Sequence, residues 1–479
     1  MTDFIRNLSR GAAGTPEVVG PDELPANPTH RFGMGSPATP EIGNIIKCAY
    51  FEYQMSKVFF RTNPAVRESV RRKRIRWRCP KVNKVIECCA PKICPHCRSA
   101  KVYVYQNSAV KKLVYDLRFT ASGVRRWVVR YETKRYGCNS CAATTYSPDY
   151  PTHGSRLGHG LCSWAIHAHV ALKQSFADVS SGINDSFGYA FTERLTYQIK
   201  RHAAKEYEPM LERLLAKLRA SHVLYIDETK VLNGEKKGYV WAVTNLEEVV
   251  YLFNTARDAT VLDRVLNGFN GVLVSDFYSI YDAPACEQQT CIVHFVRDLN
   301  DDLKQHPLDA ELATLAKGFT GVFTPIIATI DKHGLSHRYL NKHKADADEY
   351  LKQVAGGEYK SKVTTSYQRR LSKYGGRLFT FLSHDGVAWN NNAAENAIKL
   401  FAARRKVIGG GFSERGISDY LLFLSIFCTL RRKGGSFLKF LCFGNKDIDA
   451  FLGRRSRTAD PPGDHSSAVE KPWTPHKPK

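Results

Sequence analysis

The sequence predicts a mixed α/β protein in which a helix-covered sheet follows a small, basic, cysteine-rich β module. Three observations predict it. From Ser221 onward, three apolar β-branched runs are followed by a helical stretch, a buried strand and then mostly helices. Upstream, two Cys-x-x-Cys pairs flank strand-like stretches, and positive charge is concentrated around them.

The chain has 479 residues, with 70 Lys+Arg against 46 Asp+Glu and a formal net charge of +24. That length suggests about two to four domains. With 43% hydrophobic and 24% charged residues, wholesale disorder is not expected. The longest nearly apolar run, Tyr420 to Leu430, is too short to cross a bilayer as a helix, and Met1 to Gly11 has no apolar signal-peptide core. The expectation is a soluble cytoplasmic protein with no membrane partner.

The charge is uneven. Between Ile46 and Gly160, 24 Lys/Arg stand against 6 Asp/Glu, whereas Ser221 to Asn300 holds 6 against 11. A concentrated basic segment fits a polyanion, because each neutralised phosphate releases condensed counterions. A merely solubilising surface would not need the asymmetry, so nucleic acid is the expected partner. Of the 13 Cys, Cys79, Cys88, Cys89, Cys94, Cys97, Cys138 and Cys141 lie in that segment. Such clustering without an export signal favours metal ligation over disulfides.

In chain order, residues 1–45 are rich in Gly, Pro, Thr and Ser and predict a disordered lead-in. Residues 46–150 predict the basic β module: VYVY, KLVYDLRF and RRWVVRYETKRY alternate aromatic or β-branched residues with basic ones, as short half-buried strands do. Residues 151–220 predict helices: a stripe through Trp164, Ile166 and Val170, its continuation in Phe176, Val179 and Ile183, a turn at Asp185–Gly188, and a helix from about Thr192 to Arg219. This region is either a DNA-binding helix-turn-helix or a plain helical linker.

The catalytic-type domain spans 221–452. HVLYIDE, GYVWAVTN and VVYLFNTAR predict an antiparallel meander, Asp258 to Asn267 a helix, and GVLVSD and QTCIVH two more strands. Phe295 to Leu382 is mostly helical, and Asn392 to Arg405 is a further helix. Residues 453–479 predict a disordered tail.

Two constellations carry chemistry. Cys94-Pro-His-Cys97 and Cys138-Asn-Ser-Cys141 supply four thiolates for a closed, structural Zn²⁺. Cys79, Cys88 and Cys89 could form part of a second site or supply an alternative ligand, but no His with matching spacing completes the set, so buried or free thiols are expected there. Arg71, Arg72, Lys73, Arg74, Arg76 and Arg78 form either a phosphate-contact patch or a solvated charge run. In the second constellation, Asp227 and Asp276 each close an apolar strand, a poor place for a carboxylate unless a cation pairs with it. Glu395 opens a helix that later holds Lys399, Arg404, Arg405 and Lys406. Three oxygen ligands from separate elements suit Mg²⁺ or Mn²⁺ and two-metal chemistry, though singly each acid reads equally as a turn, cap or first-turn residue.

YIDETKVLNGEKKGYVWAVTN, VLVSDFYSIYDA, CIVHFVRDLNDDL and NNNAAENAIKLFAARRKVIGGGFSERG occur in that order. Together they resemble the catalytic domain of the DDE transposases, in the group named after bacterial insertion sequence sixty-six, from about Gly154 to Leu452. The resemblance implies an RNase H-like five-stranded sheet with helices on both faces, a zinc ribbon before it, and Asp227, Asp276 and Glu395 as the triad for two Mg²⁺ (or Mn²⁺). The 119-residue step from Asp276 to Glu395 implies a helical insertion at about 300–385.

The implied activity is strand cleavage at the terminal repeats of an insertion sequence, then 3′-OH strand transfer into target DNA. The implied setting is bacterial, nucleoid-associated when bound to double-stranded DNA, as a homodimer or higher oligomer with accessory proteins. The Lys399, Arg404, Arg405 and Lys406 side chains would hold DNA near the metals. Strand alternation sends Glu228 to the face opposite Asp227. Cys291 and His294 are candidates for organising the site or contacting DNA, or mark a strand-to-helix junction. Trp389 is a candidate for base stacking or a core aromatic. Two other functions are weighed: a catalytically silent, transposase-derived DNA-binding protein, and an RNA-guided RuvC-like nuclease. The second is disfavoured, since its ribbon is expected within the nuclease core and here it precedes Asp227.

Overall fold

The structure, a computed structural model, describes residues 81–151, 156–233, 236–408 and 413–455. The expected lead-in, the basic run from Arg71 to Arg78, Cys79 and most of the expected tail lie outside the described residues.

The β module contains β1 (Lys84–Glu87), β2 (Val102–Val104), β3 (Val110–Thr120), β4 (Gly123–Thr133), β5 (Tyr136–Cys138) and β6 (Thr144–Thr145). They form two three-stranded sheets, ordered β1-β4-β3 and β2-β5-β6. Short strands were expected, but β3 and β4 pair without a break from Val110↔Thr133 to Thr120↔Gly123. Neither strand has a Pro or an internal Gly to interrupt it, and the tip turns at Gly123 with φ +121°. Val114, Val129, Tyr131, Tyr150 and Cys88 form a small core on this hairpin. Nearer the tip, Leu117 and Val128 join the main core instead.

Three helices follow: α1 (His159–Val170), α2 (Phe176–Phe187) and α3 (Glu193–Arg219). Asp116, on β3, accepts the Leu161 N–H of the first turn of α1 at 2.8 Å. Ser175 and Asp178 close a capping box on α2, which Gly188 ends in the left-handed conformation. The long α3 is amphipathic and buries Ile199, Ala203, Tyr207, Met210, Leu214 and Leu218 in the main core.

The central sheet consists of β7 (Val223–Asn233), β8 (Lys236–Thr244), β9 (Val249–Asn254), β10 (Val272–Ser275) and β11 (Glu287–Thr290), in the order β11-β10-β7-β8-β9. β7, β8 and β9 are antiparallel, while β10 and β11 run parallel to β7. A three-strand meander extended by two parallel strands beside its first member is the RNase H-like topology. Between β9 and β10 runs α4 (Thr260–Leu266).

Side-chain alternation divides the sheet between two cores. Val223, Tyr225, Val272 and Val274 face a helical layer made by α5 (Ile292–Gln305), α6 (Ala310–His333), α7 (His337–Leu340), α8 (Lys344–Gly356) and α9 (Lys362–Leu378). That layer is the expected helical insertion. Leu224, Ile226 and Leu273 face the other core, into which α10 (Asn392–Ile408), α11 (Glu414–Arg432), α12 (Phe437–Cys442) and α13 (Ile448–Arg455) also pack.

Two further expectations change. QTCIVH is not one strand: β11 ends at Thr290 and α5 begins at Ile292. The reason is periodic, since Ile292, Phe295, Val296 and Leu299 make a helical stripe buried in the core. In addition, α6 is long and apolar enough, by length and composition, to cross a membrane. Its Leu312, Leu315, Phe319, Phe323 and Ile326 are buried against the insertion core.

Candidate active site and cysteine centre

The hydrophobic register of the sheet explains why Asp227 and Asp276 meet. Asp227 continues the Val223–Tyr225 face of β7, and Asp276 continues the Val272–Val274 face just beyond β10. Because β7 and β10 are parallel neighbours, both carboxylates leave the same face at the same edge. Glu395 lies in the first turn of α10, which packs on β7 and β8.

The electrostatics agree with that convergence. Burial, then the charges of Glu228, Asp276 and Glu395, push Asp227 up to about 7. A carboxylate whose charge is disfavoured by other acids is one that a divalent cation stabilises. Glu395 Oε1 is buried and accepts no hydrogen bond, so one oxygen of the three acids is left open to a cation. These residues fit a hard cation.

Glu228 is engaged elsewhere. Its Oε1 accepts from Arg257 Nε at 2.9 Å and from Arg257 Nη2, and its Oε2 accepts from the Tyr281 hydroxyl at 2.5 Å. Tyr281 belongs to the main core, so Glu228 points away from Asp276, as alternation requires.

A set of hydrogen bonds ties the three acid-bearing elements together. The Cys291 N–H donates to Ser275 O at 2.8 Å, one residue before Asp276. Asn391 Nδ2 donates to Ile226 O at 2.8 Å, one residue before Asp227. The Asn391 N–H donates to Cys291 Sγ at 3.2 Å, and its carbonyl accepts from the Glu395 N–H at 3.1 Å. Asn391 is fully buried, and its role was missed in the sequence. The available signal was its place in an Asn390-Asn391-Asn392 run leading into a helix, where one Asn suffices as a cap.

The other candidates are distributed as follows. His294 Nε2 is 3.9 Å from Glu395 Oε1, and Cys291, His294 and Glu395 offer ligand atoms that all lie within 4.8 Å of one another. The Trp389 ring is edge-on to Phe323, centroids 5.3 Å apart, and packs on the insertion core. Lys399 is exposed and donates to Asn396 Oδ1 at 3.2 Å. Arg405 Nη1 donates to Thr229 Oγ1 at 3.2 Å and to Lys230 O. The Lys406 side chain lies outside the described residues.

Arg404 is a correction. It is 1% exposed, donates to Lys173 O, lies 3.1 Å from His169 Nδ1 and stands over the Tyr420 ring. A guanidinium so enclosed braces α10 against the helices of the main core and cannot reach a DNA phosphate.

In the β module, Cys94, Cys97, Cys138 and Cys141 converge, with Sγ–Sγ distances of 3.7 Å (Cys94–Cys141) and 3.6 Å (Cys97–Cys138). Four thiolates about 2.3 Å from one tetrahedral ion would stand roughly 3.8 Å apart. The two knuckles also match in backbone. Arg98 N–H donates to Cys94 O and Ala142 N–H to Cys138 O, both at 2.9 Å, and both residues have positive φ, 59° and 55°. Two non-glycine residues held left-handed right after a Cys-x-x-Cys fit a built metal centre, and zinc suits the donors. Cys88 and Cys89 stand outside this group.

A family model described as Transposase IS66 family matches residues 154–418. No curated protein matches the chain. The matched span takes in the whole five-stranded sheet, the helical insertion and all three acids, and it exceeds half the chain. On that match the chain belongs to the IS66 family of transposases, enzymes whose partner is DNA.

Proposed function

We propose that this transposase cuts DNA at the ends of its own insertion sequence and joins the exposed 3′-OH to target DNA, using Asp227, Asp276 and Glu395 as the metal-binding triad. The observation that carries the reading is the convergence of three acids from separate elements. Asp276 and Glu395 add to the burial and the Glu228 charge that push Asp227 up, and Glu395 Oε1 is buried without a hydrogen bond. Two Mg²⁺ or Mn²⁺ ions held by this triad would supply an activated nucleophile and stabilisation of the leaving 3′ oxygen. The chain contributes the placement. Ile226, Ser275 and Asn391 fix the backbone beside each carboxylate, so little reorganisation is left for the transition state.

Lys399, exposed on the helix that bears Glu395, would meet a phosphate near the site. The basic run Arg71, Arg72, Lys73, Arg74, Arg76 and Arg78, with the cysteine-rich module (46–150), would recognise the terminal repeats. Residues 151–220 would support that recognition, and 221–452 would carry the chemistry. Joining two ends in one event calls for a dimer or larger assembly.

The test is cleavage of a supercoiled plasmid carrying the element's ends, in Mg²⁺ or Mn²⁺, by wild type and Asp276→Ala. The expected result is metal-dependent cutting by wild type and a loss of at least about a thousandfold in the variant. Equal cutting by both would remove Asp276 from the site. Binding of the ends by both, with cutting by neither, would favour a silent DNA-binding protein or a missing accessory factor.

A further inference from the structure

Cys291, His294 and Glu395 bring a sulfur, an imidazole nitrogen and a carboxylate oxygen within 4.8 Å of one another. The fold builds this group from two elements: Cys291 immediately precedes α5, His294 lies in the first turn of that helix, and Glu395 lies in the first turn of α10. Cys291 is fully buried and its Sγ already accepts the Asn391 N–H. Backbone donors of that kind support a metal-bound thiolate. Glu395 Oε1 and His294 Nδ1 are both buried and without a hydrogen bond, which is costly for a buried polar atom.

The 3.9 Å between His294 Nε2 and Glu395 Oε1 is too long for a hydrogen bond. It is near the roughly 3.4 Å that separates two ligands about 2.1 Å from one tetrahedral ion. A set of sulfur, nitrogen and oxygen also differs in kind from the all-carboxylate triad: it prefers a borderline ion such as Zn²⁺ over Mg²⁺.

We propose that Cys291, His294 and Glu395 form a second divalent-metal site, suited to Zn²⁺, that shares Glu395 with the catalytic carboxylates and withdraws it from catalysis when filled. Zinc binding releases the Cys291 thiol proton to solvent, because the ligand is the thiolate. The site itself stands on these three residues alone, whereas its inhibitory effect rests on the function proposed above.

The experiment uses the full chain with its four-cysteine centre loaded with zinc. Further Zn²⁺ is titrated against a chromophoric chelator for wild type, His294→Ala and Cys291→Ala, with circular-dichroism melts as a check on folding. Wild type is expected to take up one more zinc than either variant, or to bind it at least about tenfold more tightly. Equal uptake and affinity in all three would overturn the site. If Cys291→Ala does not fold, His294→Ala carries the comparison, since its side chain is 28% exposed.

Plasmid nicking in Mg²⁺ is then followed as Zn²⁺ is raised. Wild-type nicking is expected to fall at least tenfold as the second site fills. Unchanged nicking with that site full would overturn the inhibitory effect. If zinc-free wild type never nicks, the catalytic reading fails while the chelator titration still decides the site.

Discussion

At the residue scale, the buried charges show where a sequence reading stops. Arg404 reads as one more cation on a basic helix, yet Ala397, Phe401 and Arg404 lie on one helical stripe and all three are buried. That phase was present in the sequence and outweighs the charge. Asp116 is the acidic counterpart: it is buried, and burial pushes it up to about 7 against the N–H donors Leu161, Leu117 and Gly160, which favour its carboxylate. In the unfolded chain an Asp titrates near ~4. The folded state therefore keeps a proton that the unfolded chain releases between about pH 4 and pH 7. This contribution is fully present below about pH 4 and is lost as pH rises through about 7, on the order of 4 kcal/mol in all. Asp116→Asn keeps the Oδ1 acceptor for Leu161 and removes the titration. Urea midpoints at pH 5 and pH 8 should show the variant gaining on wild type at the higher pH. Parallel pH profiles would mean that Asp116 does not carry this cost.

At the scale of elements, the edge strand β9 exposes a problem that a helix solves. Among the described residues its outer backbone has no neighbouring strand, and in a buried position each unmet N–H is costly. α11 supplies the partners: the Val249 N–H donates to Thr429 Oγ1 at 3.0 Å and the Tyr251 N–H to Ser425 Oγ at 2.9 Å. Residues 425 and 429 are one helical turn apart, matching every second residue of the strand. In the sequence these hydroxyls look like ordinary small polar interruptions of the Tyr420–Leu430 apolar run. Thr429→Val keeps the shape and removes the acceptor, so a loss of about 1–3 kcal/mol is expected in urea denaturation; a change under about 0.3 kcal/mol would show that the contact contributes little. The same contrast runs through the fold. Strands β7, β8, β9 and β10 were legible because alternation and β-branching set them apart. The α5 start was not, because CysIleValHis has too few residues to separate period 2 from period 3.6. The acids at strand ends were legible as residues, while the bonds of Asn391 that space them were not, since they join positions 100 and 165 apart.

For the whole molecule, two separate sources of stability predict two separate responses to zinc removal. The four-cysteine centre joins β2 to β5, and these strands lie next in sequence to the open end of the β3–β4 hairpin. Around that end the packing is a small core of five buried residues, Cys88, Val114, Val129, Tyr131 and Tyr150. The hairpin's other end, through Leu117 and Val128, is anchored in the main core that also holds α1, α3 and the sheet. A small β unit of this size depends on its metal, whereas a large core does not. Stripping zinc with a chelator, or replacing Cys138 with Ser, should therefore loosen the first strands while the main unfolding transition keeps its cooperativity. Limited proteolysis should cut first within residues 81–110. On the function proposed above, affinity for the element's ends should fall with it, and what remains should be non-specific and steeply salt-dependent. Collapse of the whole protein on zinc removal would show that the two cores are not independent. Unchanged proteolysis and unchanged end binding would show that the cysteines do not hold a structural metal.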